Sequence, residues 1–421
     1  MRDRYGAALL AAAWMLAWPA WAQVAPQPPQ QQQPDATQQL EADMYQDALQ
    51  SIAEGRKNDA SAMLMRLVEK EPEHAGAWLE VALLQCGLGH ADEAERLFAI
   101  VETRFNPPVG ILELISNTRT QGCAHWQASS SGSVTIGRGV DQNVNQGASN
   151  PSYIIDGPGG QIELPLASDF LPKHDQYTVL SADYLRDLTP NGSIGFAQFQ
   201  GRHNDRLSQY DSASLFVGID TPYRFGRWTL RTTGMLGLVS LGGHFYQRQL
   251  QLQARVGPPL PLPAGMQFNV LTGLTHTQYL TLTNFNSTTG ELRGQLTRRS
   301  EDLYTSASLG YLDDHANSAR PGGSRRGWQA NLLARHSLGW GTTGELGYMR
   351  QTWKSDSTYL PGLIDQVRDQ QTQVLRGTLV YPVMKNQSLQ LEVRAVRNHE
   401  NISIFAYNNR QVQLSWQWLT P

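Results

Sequence analysis

The hydrophobic pattern of the chain changes once, near residue 122. Between residues 41 and 108 apolar and small residues recur at helical spacing, whereas from residue 130 onward apolar and polar residues alternate. Helical spacing places apolar side chains on one side of a helix, and alternation places successive side chains on opposite faces of a sheet. The pattern predicts a small all-α domain over residues 40–122 and an antiparallel β-domain over residues 130–421.

The β-domain is predicted to be a transmembrane antiparallel β-barrel of about 14 strands. Its alternating segments run for roughly 9–13 residues, which suits a tilted strand that crosses a bilayer. Short and long connections alternate near the C-terminus, and the long ones cover residues 313–326, 355–369 and 399–409. Aromatic residues at segment ends are expected to form an interfacial girdle. They are Trp340, Trp353, Tyr381 and Trp418.

The helical part repeats itself at an offset of 34 residues, so that Ala48 matches Ala82. This period is typical of tetratricopeptide repeats, in which two helices cross at small residues. A third helix, from about residue 109 to 116, is expected to cap the pair. A generic helical hairpin is the alternative. The repeat face is expected to bind a client protein through Leu49, Trp78, Ala82 and Gln85.

The N-terminus has the features of a secretory signal peptide over residues 1–22. Arg2 and Arg4 precede an apolar run, and Ala20-Trp21-Ala22 is a small-residue cleavage site. Residues 23–39 are rich in Pro and Gln and predict a disordered linker.

The two cysteines of the exported chain, Cys86 and Cys123, would reach an oxidising compartment, where a disulfide is possible. Cys86 lies in a helical repeat and Cys123 at the junction with the β-domain. These positions favour two free thiols over a disulfide.

Composition agrees with a barrel and excludes a helical membrane protein. Charged residues make up 17% of the chain and hydrophobic residues 40%, with 38 glycines. Beyond the N-terminus no apolar run approaches the ~20 residues of a membrane-spanning helix. The formal net charge of -3 argues against a nucleic-acid partner. The motifs H-E-x-x-H, G-x-S-x-G and C-x-x-C do not occur, so no enzyme activity, metal or cofactor is expected.

Several charged residues fall on the polar phase of alternating segments. They are expected to line the lumen, because a charge that faces lipid costs ~2–4 kcal/mol at the bilayer midplane. They are Arg231, Arg255, Arg335, Arg376, Glu392 and Arg394. Two interpretations remain open, a salt-bridged wall and a positive lumen that selects anionic cargo or holds a plug.

The order of signal peptide, short tetratricopeptide region and C-terminal barrel resembles the surface lipoprotein assembly modulator (Slam) family. Gly139–Asn145 resembles the G-x-D-x-N-x-N stretch at the family's first barrel strand, and Asn401–Tyr407 resembles its final hairpin. Within the first stretch, Asp141, Asn143 and Asn145 are expected to start an external loop by bonding their own backbone.

This resemblance implies an outer-membrane translocon that passes client proteins or lipoproteins to the cell surface, with the N-terminal domain in the periplasm of a Gram-negative cell. The implied partners are the client, outer-membrane lipid and the barrel assembly machinery. Trp416–Pro421 resembles the C-terminal signal that this machinery reads. An exopolysaccharide export porin and a general diffusion porin are the alternatives.

Overall fold

A computed structural model describes residues 36–53, 56–123, 128–157 and 160–420. The expected signal peptide, residues 1–22, lies outside the described residues, as does the expected linker up to residue 35. None of the described helices combines the length and apolarity that a membrane-spanning helix requires.

The N-terminal part that the structure describes contains five helices. They are α1 (Ala36–Ala53), α2 (Lys57–Lys70), α3 (Ala75–Gly87), α4 (Ala91–Phe105) and α5 (Val109–Gln121). The first helix begins inside the expected linker 23–39, so the last residues of that segment are helical. Pro34 is the last proline before it, and the Gln, Leu, Glu and Ala residues that follow favour a helix.

The helices share one core at the positions that repeat along the sequence. Ala48 and its counterpart Ala82 are both fully buried. The other buried repeat positions are Ala60, Leu64, Leu67, Ala94, Phe98 and Val101. The fifth helix joins the same core through Ile115, which is also fully buried. The 34-residue spacing therefore corresponds to equivalent positions in two packed helix pairs.

An exposed ion-pair cluster also holds the fifth helix against the fourth. Arg119 Nη2 donates to Glu95 Oε1 at 2.7 Å, and Arg119 Nη1 donates to Glu102 Oε1 at 2.7 Å. The hydrogen bond from Arg119 lowers the pKa of Glu95 below its ordinary value. The resulting stabilisation is therefore present at neutral pH and is lost as the pH falls through the lowered pKa.

The expectation of two free thiols is wrong, because Cys86 and Cys123 form a disulfide. Their Cα atoms lie 4.5 Å apart although the residues are 37 positions apart in sequence. The fifth helix runs back along the core, and this brings the residue just after it beside the third helix. The bond therefore closes the helical domain at its junction with the barrel.

Replacing both cysteines with serine is expected to lower the free energy of unfolding of the helical domain by about 2–4 kcal/mol, since the bond restricts the unfolded chain. The measurement is urea unfolding of the full-length protein in detergent, followed by helical circular dichroism. Wild-type protein treated with dithiothreitol is the control and should match the double variant. An unchanged helical midpoint in both samples would contradict a stabilising role.

Fourteen of the described strands form a closed antiparallel barrel, which confirms the predicted barrel of about 14 strands. They are β1 (Ser130–Asp141), β4 (Asp175–Asp187), β5 (Ile194–Asn204), β6 (Ser212–Phe225), β7 (Trp228–Leu241), β8 (His244–Gly257), β9 (Met266–Tyr279), β10 (Ser287–Arg299), β11 (Leu303–Ala316), β12 (Arg325–Gly339), β13 (Thr342–Leu360), β14 (Ile364–Met384), β15 (Gln387–Glu400) and β16 (Tyr407–Thr420). Two further strands, β2 (Ser152–Gly157) and β3 (Gly160–Pro165), form a separate hairpin in the loop after β1.

Sequential strands pair with one another, and β1 closes the barrel against β16 from Gly132↔Thr420 to Asp141↔Gln411. The first strand begins and the last strand ends at the same rim. We call this rim, at Ser130 and Thr420, the chain-end rim. The opposite rim, at Asp141 and Tyr407, is the loop rim.

The outer wall of the barrel is apolar. On β8, Leu250 and Leu252 are about half exposed on the outer face. The alternate residues Gln249, Gln251 and Gln253 lie on the opposite face. The same alternation exposes Leu332 on β12 and similar residues around the wall. A closed antiparallel barrel with an apolar exterior is the architecture of bacterial outer-membrane barrels.

Three of the four expected girdle residues lie at the chain-end rim on exposed positions. Trp340 is 96% exposed in the turn between β12 and β13, and Tyr381 and Trp418 are also exposed. The expectation is wrong for Trp353, which has the opposite phase to the exposed Leu346 and therefore points into the barrel. Position at the end of a segment does not determine the face on which a side chain lies.

The expectation of a long loop over residues 355–369 is also wrong. The thirteenth strand continues to Leu360 and the fourteenth begins at Ile364, so that only three residues connect them. These strands contain 19 and 21 residues, whereas β15 contains 14. The polar composition of the segment indicated a loop, but its backbone groups pair within an extended hairpin at the loop rim.

Candidate functional site in the barrel lumen

The charged residues expected in the lumen all lie on the polar phase of their strands. Arg231 and Arg255 line one cavity in the chain-end half, together with Gln251 and Gln253. Arg335 donates to Glu345 at 2.7 Å, and Arg376 donates to Glu392 at 2.6 Å. Arg231 is paired with Asp220. Arg394 stands opposite Arg376 in the β14–β15 register.

The positive charge of the lumen wall is therefore partly neutralised by neighbouring carboxylates. Three of the five expected lumen arginines, Arg231, Arg335 and Arg376, form ion pairs with neighbouring carboxylates. Over the described part of the chain, no carboxylate lies within ion-pair distance of Arg255 or Arg394. The lumen combines the salt-bridged wall with a small excess of positive charge.

The two ends of the lumen differ in how far their charges are buried. At the chain-end half the paired carboxylates Asp220 and Glu345 are 15% and 20% exposed. At the loop rim the inward carboxylates Asp141, Asp314 and Glu400 are 2%, 0% and 0% exposed. Side chains are thus packed against one another at the loop rim, whereas the other half retains accessible space.

The first buried cluster joins strands from both sides of the barrel closure. Arg202 Nη2 and Gln411 Nε2 each donate to Asp141 Oδ2 at 2.7 Å. The Arg202 guanidinium lies 3.9 Å from the centre of the Tyr177 ring. The Tyr177 ring in turn packs against Gly139. A Cβ atom on residue 139 would come within 2.4 Å of the ring. A glycine at this position is therefore required for the ring to pack.

The loop that follows β1 starts from the same cluster. The Asn143 backbone N–H donates to Asp141 Oδ1 at 2.9 Å, as expected for a side chain that bonds its own backbone. The Asn143 side chain donates to Gly147 O at 2.9 Å and accepts from Gly147 N at 2.7 Å. The Asn145 side chain also donates to Leu171 O at 2.8 Å. These bonds fold the start of the loop into a fixed turn.

A second buried cluster surrounds Asp314. Arg320 Nη1 and Arg325 Nε donate to Asp314 Oδ2 at 2.8 and 2.6 Å. The guanidinium of Arg325 lies 4.5 Å from the Trp353 ring centre. Arg368 lines the same small cavity as these arginines.

The third cluster is built on Glu400. Arg368 Nη2 and Nε donate to its two carboxylate oxygens at 2.6 and 2.8 Å, a bidentate pair. The guanidinium also lies 4.5 Å from the Phe405 ring centre. Arg368 therefore ties β14 to the neighbouring β15 and to the loop before β16 at the loop rim.

The helical domain contacts the chain-end rim through a buried arginine. Arg224, near the end of β6, is 3% exposed and donates to Asp47 Oδ1 at 2.5 Å and to Asp47 O at 3.2 Å. It also donates to Ser51 Oγ at 3.4 Å. The Lys57 N–H donates to Pro190 O in the β4–β5 turn at 3.4 Å.

The same helix faces the lumen entrance. Gln50 lines a cavity at the chain-end rim together with Arg224, Arg231 and Arg255. The helical domain is thus positioned beside the accessible half of the lumen.

The expected client-binding residues are placed differently by the helical packing. Ala82 is fully buried in the core, so its side chain is not available to a partner. Leu49, Trp78 and Gln85 are partly exposed. Trp78 donates to Pro72 O at 3.0 Å, and Gln85 donates to Ser61 Oγ at 3.0 Å. Their polar groups therefore already hold the helices together.

The buried clusters contain arginines that the sequence did not assign to the lumen. Arg202, Arg320, Arg325 and Arg368 lie at strand ends or in segments that read as polar loops. The only available signal was the polar phase of Arg202 and Arg224. Arg202 and Arg368 lie 61 and 32 residues from their carboxylate partners, so periodicity gave no way to pair them.

No protein-family model matches this chain, and no curated protein is similar to it in sequence at a significant level. In fold, the chain is similar to solved outer-membrane channels. The outer membrane channel DcaP of Acinetobacter baumannii is 10% identical, with 70% of this chain and 97% of that chain covered and a TM-score of 0.40.

An anion-selective porin from Comamonas acidovorans is 11% identical, with 70% and 99% of the two chains covered and a TM-score of 0.37. OccAB3 of Acinetobacter baumannii is 9% identical, with 69% and 100% covered and a TM-score of 0.38. Scores this low support no conclusion about cargo or mechanism.

Arg368→Ala is expected to open the loop rim, because removing one partner of a buried ion pair costs about 3–5 kcal/mol. We expect the variant to show more frequent and larger openings than wild type in planar bilayers. Arg335→Ala is the matched control, since it removes one paired arginine from the exposed half. Heat-modifiable gel mobility verifies that both variants fold. Equal conductance of wild type and both variants would contradict closure at the loop rim.

Arg224→Ala is expected to release α1 from the barrel. Hydrogen bonds from a charged group contribute about 1.5–3 kcal/mol, so amide hydrogen exchange over residues 44–51 should accelerate by about tenfold or more. Arg231→Ala is the control, because its partner Asp220 belongs to the barrel. Identical exchange in the two variants would show that Arg224 does not anchor the helix.

Proposed function

We propose that this protein is an outer-membrane translocon that receives a client protein at its helical domain and passes it through the barrel to the cell surface. The observation that supports this proposal most directly is the difference between the two halves of the lumen. The chain-end half is accessible and adjoins the helices through Arg224 and Asp47, and the loop rim is packed around buried carboxylates. A one-way conduit needs an accessible receiving end and a more tightly packed exit, and this difference supports the proposal.

The proposed orientation places the chain-end rim and the helical domain in the periplasm. The first barrel strand begins and the last one ends at that rim. The loop of residues 142–174 with its hairpin lies at the opposite rim. Outer-membrane barrels have short periplasmic turns and longer external loops.

The helix pairs would act as tetratricopeptide repeats that present the client to the lumen, as the resemblance to the Slam family implies. The 34-residue spacing of buried positions, such as Ala48 and Ala82, supports this assignment. Folding of the client outside the cell would drive transport, since the chain has no phosphate-binding loop. We propose no catalytic role for the barrel.

A second candidate is export of an anionic polysaccharide. The observation in its favour is the positive charge of Arg255 and Arg394, which have no carboxylate partner among the described residues. A general diffusion porin is the third candidate.

The translocon is tested by deleting the gene and treating intact cells with protease. We expect one or a few surface proteins to become protease-resistant while they accumulate inside the cell, and complementation with the wild-type gene should restore their exposure. Loss of a surface polysaccharide with every surface protein still accessible would favour the exporter. Reduced uptake of small solutes with no other change would favour the porin.

A further inference from the structure

The outer wall carries a polar row close to the loop rim. Four residues stand opposite one another across neighbouring strands, in the order Arg350, Gln373, Arg397 and Asn408. Their phase is that of the exposed Leu375 and Val393, so they point away from the lumen.

A third arginine, Arg410, lies beside this row and one step nearer to the middle of the membrane. Arg410 stands opposite Ala395, and its phase is that of the exposed Val412 and Leu414. Its backbone carbonyl accepts a hydrogen bond from the N–H of Gln142, the residue that follows β1. Arg397 and Arg410 are diagonal neighbours on β15 and β16, close enough to act on one ligand. Both side chains are exposed.

Two other arginines on the outer wall have carboxylate partners, unlike Arg397 and Arg410. Arg138 donates to Asp205 Oδ2 at 2.5 Å, and Arg326 lies 3.4 Å from Asp313 Oδ2. Within the described residues, Arg397 and Arg410 form no ion pair. Two adjacent guanidinium groups at the edge of an apolar wall repel each other, and an anion between them would remove that cost.

The wall beside them forms an open depression with a polar edge and an apolar floor. Gln142, Arg397 and Arg410 lie on the polar edge, and Tyr348, Leu375 and Ala395 lie on the floor. This combination suits an amphipathic ligand whose anionic group meets the arginines and whose hydrocarbon lies on the barrel. A guanidinium group binds phosphate oxygens in a bidentate manner.

We propose that this depression, formed by Gln142, Tyr348, Leu375, Ala395, Arg397 and Arg410, binds the phosphate of a phosphorylated glycolipid in the leaflet that surrounds the loop rim. The choice of leaflet rests on the proposed orientation, in which the loop rim faces the cell exterior. The site is independent of the lumen, so lipid binding and client transport can fail separately.

The test uses full-length protein purified in detergent and measures binding of diphosphorylated lipid A by native mass spectrometry. The double variant Arg397→Gln with Arg410→Gln is expected to weaken binding by about tenfold or more, since it removes both charged donors. The matched control is Arg138→Gln with Arg326→Gln, which removes the same charge from paired arginines on the same wall. That control is expected to change the affinity by less than about twofold.

Two further measurements keep the proposal open to refutation. Enzymatically dephosphorylated lipid A should bind wild type about tenfold more weakly than the diphosphorylated form. Inorganic phosphate alone should fail to displace the lipid, because it does not occupy the apolar floor. Equal losses in both double variants, or binding that does not depend on lipid phosphate, would overturn the proposal. Normal lipid binding with no client transport would reject only the translocon.

Discussion

Hydrocarbon offers no water to satisfy a free backbone N–H or C=O group, so a sheet that crosses a bilayer must have no open edge. In this protein the ladder between β1 and β16 meets that requirement, from Gly132↔Thr420 to Asp141↔Gln411. Every other feature of the barrel depends on this closure. It divides the side chains into an outer and an inner set, and it brings the first and last strands to the same rim.

Closure also determines how the inner charges are satisfied. Asp141 lies on the first strand, and its partners Arg202 and Gln411 come from the fifth and the last strand. Such a carboxylate can be buried only because its charged hydrogen bonds replace those it would make with water. The same physics applies at Asp314 and Glu400, and the result is a loop rim that is much more tightly packed than the chain-end half.

The helical domain uses the other rim. The disulfide between Cys86 and Cys123 closes its core at the junction, and Arg224 binds its first helix to the barrel. The contact is made by an inward-facing side chain, so the helices adjoin the lumen entrance and not the lipid wall.

The alternation of apolar and polar residues was enough to predict the barrel, its approximate number of strands and the inward phase of Arg231, Arg335 and Arg376. A pleated strand has a period of two, and a charge cannot face hydrocarbon cheaply, so each strand reveals its own two faces. The sequence could not reveal the partners across the barrel. The disulfide, the bond between Arg368 and Glu400 and the pairing of Asp141 with Arg202 all join residues far apart in the chain. Only the register of the closed sheet and the packing of the helices bring such residues within bonding distance, and local periodicity contains no information about either.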